Sequence, residues 1–239
     1  MVGFGVAVLV QVFPSPPSAT RNASRSLAVV SSHLTSFYVD IISDFLARSE
    51  EEGYEATKEV IDTRLTELFS EINALVPRIK MVKFEPSSSP FTCSNLLEIE
   101  TCLGRILESL STIASVSPAL TDSYKKTLEA QTNFVEIQTV AGIISVFTAV
   151  EDTLKSGQPL SEVLPAPLLQ NLRTITGPSS AINKREFSKD IIRDENWSRF
   201  VVALMAVASL YARIDSLVLT VKETVGQKYH VEGLLSDSV

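Results

Sequence analysis

Few side chains in this 239-residue chain carry the chemistry of nucleophiles, bases or metal ligands. The cysteines are Cys93 and Cys102, and the histidines are His33 and His230. Two thiols and two distant imidazoles fall short of a zinc site, which needs four ligands converging on one point. The thiols read as buried or half-exposed side chains in a reducing compartment, with a Cys93–Cys102 bridge as the alternative. Carboxylates cluster at Glu50, Glu51 and Glu52, and again at Glu98 and Glu100. General acid–base work needs two carboxylates in one cleft with unlike environments, whereas a glutamate run at a helix junction reads as a solvated face. Asp215 lies in an apolar neighbourhood and reads as a partly buried acid in a structural pair with Arg213 or Lys222. No G-x-S-x-G, phosphate-binding glycine loop or H-E-x-x-H occurs. Gly3 and Gly5 form a G-x-G, but it sits inside an apolar run and fits close helix packing in a membrane better than a nucleotide. No catalytic, cofactor-binding or metal-binding residue can be assigned, so no cofactor and no enzymatic activity are expected.

Two sequons, Asn22-Ala23-Ser24 and Asn196-Trp197-Ser198, match the glycosylation pattern, which is frequent by chance. Trp197, the only tryptophan, reads as a structural ring that clamps the start of the last helix.

The elements that must position these residues are helical. Leu27, Val30, Leu34, Phe37, Ile41 and Phe45 recur at spacings of three and four, and Ile61, Leu65, Leu68, Ile72 and Leu75 continue the pattern past Gly53. Leu96, Ile99, Leu103, Ile106, Leu110 and Ile113 make a third stripe, expected to start from Ser94 as N-cap. A long helix is predicted from about Thr121 to Lys155, with Phe134, Ile137, Ala141, Ile144, Phe147 and Val150 on one face. Within it VAGIISVFTAV is apolar all round, too short to span a bilayer, and reads as bundle core. Gly157 should end that helix. The last stripe is Phe200, Leu204, Val207, Tyr211, Ile214, Val218 and Val221, ended by Gly226. Internal loops are expected over 77–94 and 174–194. No period-two alternation bounded by hairpin turns is present. The fold class that follows is all-α, a bundle of long antiparallel helices preceded by a partial membrane helix.

Hydrophobic residues make up 45% of the chain, enough for a sizeable core. The net charge of -7 argues against nucleic acid as partner, since phosphate binding needs a basic footprint. The opening MVGFGVAVLVQVF is apolar but shorter than the roughly 20 residues of a membrane-spanning helix. It lacks the leading basic residues of a secretory signal. Residues 1–13 read as the end of a transmembrane helix and 14–26 as a juxtamembrane linker. Residues 27–231 read as the helical domain and 232–239 as a tail. From Met1 to Val39 the only ionisable acids or bases other than His33 and Tyr38 are Arg21 and Arg25, and cations just beyond an apolar segment mark the cytosolic side.

Three stretches carry a resemblance. GFGVAVLVQVFPSPPSATRNASRSLA, followed by FYVDIISDF, resembles the end of the last membrane helix of fusaric-acid-resistance-like proteins. LKSGQPLSEVLPAPLLQNL and SLYARIDSLVLTVKETVGQKYHVEGL resemble the C-terminal domain of fungal brefeldin-A-sensitivity-related, endoplasmic-reticulum transporter-like proteins. The resemblance spans nearly the whole chain and implies the cytosolic C-terminal domain of a multi-pass exporter of organic or aromatic acids. Its role would be regulation or assembly. It also implies an integral membrane location in the endoplasmic reticulum or plasma membrane, with residues after about Pro17 cytosolic. The expected partners are the membrane, through the N-terminal apolar segment, and further copies of the helical domain. The alternative is a free-standing helical interaction module without transport activity.

Overall fold

A computed structural model of the chain describes residues 18–47, 54–85, 89–161, 164, 168 and 194–228. The helices are α1 (Ala19–Ala47), α2 (Tyr54–Met81), α3 (Cys93–Val116), α4 (Asp122–Thr132), α5 (Ile137–Ser156) and α6 (Glu195–Val225). Short 3-10 turns, Val82–Phe84 and Ser117–Ala119, follow α2 and α3. A two-residue parallel pairing of β1 (Leu160–Ser161) with β2 (Gln227–Lys228) ties the chain after α5 to the chain after α6. The architecture is an all-α bundle.

The apolar stripes of α1 and α3 are buried along their whole length, from Leu27 to Phe45 and from Leu96 to Ile113. Each such side chain contributes about 1.5–3 kcal/mol by leaving water. The two helices form the centre. α1 packs on α5, α2 and α3, while α3 packs on α6 more extensively than on any other helix. Cross-helix pairs show the antiparallel sense. Residues 33 and 40 of α1 meet 71 and 64 of α2, and residues 102 and 105 of α3 meet 220 and 213 of α6.

Several boundaries differ from the sequence reading. The linker expected over 14–26 is helical from Ala19 onward, because Ser18 Oγ accepts the Arg21 N–H at 3.2 Å and Ala23 is already in the core. The loop expected to open at Pro77 begins later. α2 carries Pro77 through to Met81, with Ile79 and Val82 fully or nearly buried just beyond it. Proline costs a helix one backbone hydrogen bond, and the burial of these two side chains offsets it. α3 takes Thr92 as its N-cap instead of Ser94, the Thr92 hydroxyl accepting the Asn95 N–H at 3.2 Å.

The largest correction lies between Thr121 and Lys155, where two helices replace one. Asn133 adopts φ 51°, in the left-handed region, and ends α4. Phe134 is buried as expected, but as the anchor of a turn, meeting Tyr38 and Phe45 edge-on at centroid distances of 5.9 and 6.2 Å. The restart at Ile137 resets the face of α5. Ile137 is 85% exposed, Ala141 is also exposed, and the buried stripe is Thr139, Ile143, Val146, Phe147, Val150 and Leu154. Gly157 at φ 69° and Gly226 at φ 81° end α5 and α6 where expected.

Residues 1–17 lie outside the described residues, as do Glu50–Glu52, Gly53, the loop over 174–193, His230 and the tail over 232–239.

Candidate functional site

The residues with reactive side chains do not converge. Cys93 and Cys102 are free thiols on one helix. Nine helical residues separate them by about 13 Å of rise, well beyond disulfide reach, so the bridge is excluded. Cys102 Sγ instead lies 3.8 Å from Thr220 Oγ1, inside the α3–α6 contact. His33 pairs with Glu71 at 2.9 Å on an exposed α1–α2 seam. Glu98 is exposed and Glu100 half-buried. Burial raises the Glu100 carboxyl above its ordinary value, partly opposed by a hydrogen bond from Thr101.

Arg213 turns to α3, donating to the Arg105 carbonyl, to Ser109 Oγ at 3.0 Å and to Glu108 at 3.3 Å. Asp215 accepts the Leu168 N–H at 3.0 Å and fastens the chain after β1 onto α6. Leu168 is 3% exposed, so the bond holds an apolar plug in place. Among the described residues no three His, Cys, Asp or Glu side chains gather at one point.

Trp197 behaves as its position suggested. It packs on Phe200 at 5.5 Å and on Tyr124 at 6.4 Å, tying the start of α6 to α4 over a small satellite core with Phe45, Leu120 and Leu128. Asn22 is exposed on α1 and Asn196 is half-buried in the first turn of α6.

Among the described residues two grooves lie at the end of the bundle where α1 and α3 begin and α2 and α5 finish. A groove of about 580 Å³ runs between the first turns of α1 and the last turn of α2, lined in part by Ala19, Ala23, Arg25, Val29, Arg78 and Met81. A second, of about 260 Å³, lies between Arg21, Ser24, Phe91, Lys155 and Gly157. Glu85 closes the start of α1, accepting the Thr20 N–H at 2.7 Å and its hydroxyl at 2.8 Å. Those bonds, the backbone one foremost, hold the Glu85 carboxyl below its ordinary value. These surfaces offer cations, hydroxyls and apolar walls, and so suit binding more than bond-making. Sequence reasoning singled out Arg21 and Arg25 but missed Arg78, because only folding brings the end of α2 beside the start of α1.

Among the described residues two helices, α5 and α6, are long and apolar enough to cross a membrane by length and composition alone. In the fold both bury one face in the bundle. α6 leaves Val202, Met205 and Leu219 exposed.

Residues 18–229 match the family model described as Brefeldin A-sensitivity protein 4-like domain. An uncharacterized protein of Schizosaccharomyces pombe is 20% identical over 247 residues, which cover 96% of this chain and 18% of the relative. The chain therefore spans less than a fifth of that curated relative's length. Neither match carries the fusaric-acid-resistance description that the sequence suggested. No solved structure matches the chain.

Proposed function

The chain belongs to the family of brefeldin A-sensitivity protein 4-like domains, and from that premise we propose that it is the cytosolic, non-enzymatic helical domain of a larger membrane protein. In this reading the whole protein is a transporter-like exporter of organic or aromatic acids, and the domain assembles or regulates it. The observation that carries the reading is the position of α1. An apolar run, Met1–Phe13, precedes it by a few residues in sequence. α1 is also the helix on which α2, α3 and α5 all pack. α1 thus lies next in sequence to the apolar run and touches most of the bundle. Arg21 and Arg25, just past the apolar run, favour the cytosolic side. The uncharged outer face of α6 at Val202, Met205 and Leu219 supplies a surface for contact between copies.

Fractionation of cells expressing the 239-residue chain tests the membrane part. Recovery in the membrane pellet, resistant to alkaline carbonate and released by detergent, is expected. Complete recovery in the soluble fraction would favour the second reading, a free-standing helical interaction module, which the continuous core from Ala23 to Val221 also supports. Transport is tested in cells carrying the full-length protein. Deletion of this domain should lower efflux of a radiolabelled aromatic acid and alter growth on brefeldin A. Unchanged efflux and growth would remove the transporter assignment.

A further inference from the structure

At the end of the bundle where α1 begins, the side formed by the start of α1 and the end of α2 is basic in a chain that is acidic as a whole, while the carboxylates of that end, Glu98, Glu100, Glu151, Asp152 and Glu223, belong to α3, α5 and α6. Residues 18–29 and 76–85 hold Arg21, Arg25, Arg78, Lys80 and Lys83 against one carboxylate, Glu85. All five cations are exposed, and Glu85 is already engaged by Thr20. Among the cations stand large apolar side chains facing solvent: Met81 is 59% and Phe84 78% exposed.

Helix electrostatics account for only part of this charge. Arg78 and Lys80 occupy the last turn of α2, where cations complement the helix dipole. Arg21 lies in the first turn of α1, which holds no acidic residue and where the dipole opposes a cation, and Arg25 follows one turn on. Among the described residues no carboxylate is paired with either arginine, so both are available to an anion. Between the two groups lies the groove of about 580 Å³, with Arg25 and Arg78 on its walls and Ala19, Ala23 and Val29 in its lining.

We infer that this end of the bundle docks on an anionic phospholipid surface, with headgroup phosphates between Arg25 and Arg78 and with Met81 and Phe84 entering the interface. Cations attract an anionic leaflet, and long basic side chains around apolar ones suit the boundary between headgroup and acyl chain. Nucleic acid would match the charge but would gain little from Met81 and Phe84. In sequence the apolar run Met1–Phe13 stands just before Ser18 and the start of α1. The inference holds whether or not the assembled protein moves a solute.

The test is flotation of the full chain with neutral phosphatidylcholine vesicles and with vesicles containing roughly one-third phosphatidylserine. Binding through Met1–Phe13 is common to both and cancels in the ratio. Each cation near an anionic surface strengthens binding about fivefold, so the triple variant R78Q/K80Q/K83Q should lose about a hundredfold of the preference for anionic vesicles. The variant R21Q/R25Q should lose about 25-fold. A control triple at the other end, K125Q/K126Q/R199Q, should keep the preference. The side chains changed in the two test variants and Lys126 are exposed, Lys125 and Arg199 are half-buried, and circular dichroism and melting check that each variant is folded. Equal wild-type affinity for the two vesicles would overturn the inference, as would an equal loss in the control. So would displacement by inorganic phosphate at matched ionic strength, which would indicate a discrete ion site, or stronger binding to single-stranded RNA at the same salt.

Discussion

Tyr211→Phe isolates the contact that holds the α4–α5 turn. The Tyr211 hydroxyl on α6 donates to the Thr132 carbonyl at 2.9 Å, where α4 ends and its last carbonyls have no helical partner. The ring is fully buried, so phenylalanine keeps the packing and removes one hydrogen bond. A buried acceptor left unsatisfied costs about 1–3 kcal/mol, and the centre of that range is expected. For a chain of this size each kcal/mol shifts Tm by about 2–4 °C, so the variant should melt about 4–8 °C lower, with an unchanged urea m-value. Tyr38→Phe, whose hydroxyl lies 3.5 Å from the Phe134 carbonyl, should cost less. A loss below about 0.5 kcal/mol for Tyr211→Phe, or a larger loss for Tyr38→Phe, would refute the reasoning. Alkaline titration gives a second readout. Burial raises both phenols above the ordinary value of 10.0, with Glu136 adding to Tyr211 and Tyr211 adding to Tyr38. A raised folded pKa means that stability is complete below pH 10. It falls as pH rises further, because the unfolded chain releases protons that the fold retains. Each tyrosine should contribute a slope of about 1.4 kcal/mol per pH unit above that point, and Tyr211→Phe should remove one such slope from urea midpoints measured between pH 10 and 11.

Three further substitutions test the helices. Asn133→Gly should be neutral or slightly stabilising, because glycine adopts φ 51° freely, while Asn133→Ala should cost about 1 kcal/mol; urea unfolding separates the two. A methyl group at Gly104 in α3 would meet only Ile72 Cγ2, at 3.9 Å, so Gly104→Ala should raise stability by about 0.5–1 kcal/mol, seen as a higher Tm. Ser31 is fully buried and, among the described residues, its Oγ has no hydrogen-bond partner, so Ser31→Ala should stabilise the domain by about 1 kcal/mol in urea unfolding.

The helices that the sequence made plain are those whose apolar residues alone decide the matter. The stripes of α1 and α3 are unbroken at three-and-four spacing, and every residue named from them is buried. The break at Asn133 left a fainter mark. Asparagine tolerates the left-handed region without demanding it, and Phe134 on the far side keeps the apolar spacing of a continuing helix. What ends α4 there is tertiary, namely carbonyls taken up by Tyr38 and Tyr211 from two other helices. Pro77 misled in the opposite direction, since a local helix-breaking rule gave way to the burial of Ile79 and Val82. The basic groove was half legible. Arg21 and Arg25 stand out in a stretch without acids, but Arg78 lies more than fifty residues away in sequence, and its place beside Arg25 follows from the α1–α2 pairing.

The dominance of the α3–α6 contact has a consequence for how the chain is made. α3 is complete at Val116, whereas its main partner begins at Glu195. At about 5–20 residues per second the ribosome needs several seconds to cover that interval. Throughout that time the side of α3 destined for α6, Cys102 included, lacks its final partner. A chain stopped before α6 should therefore be cleared by proteolysis faster than the complete one.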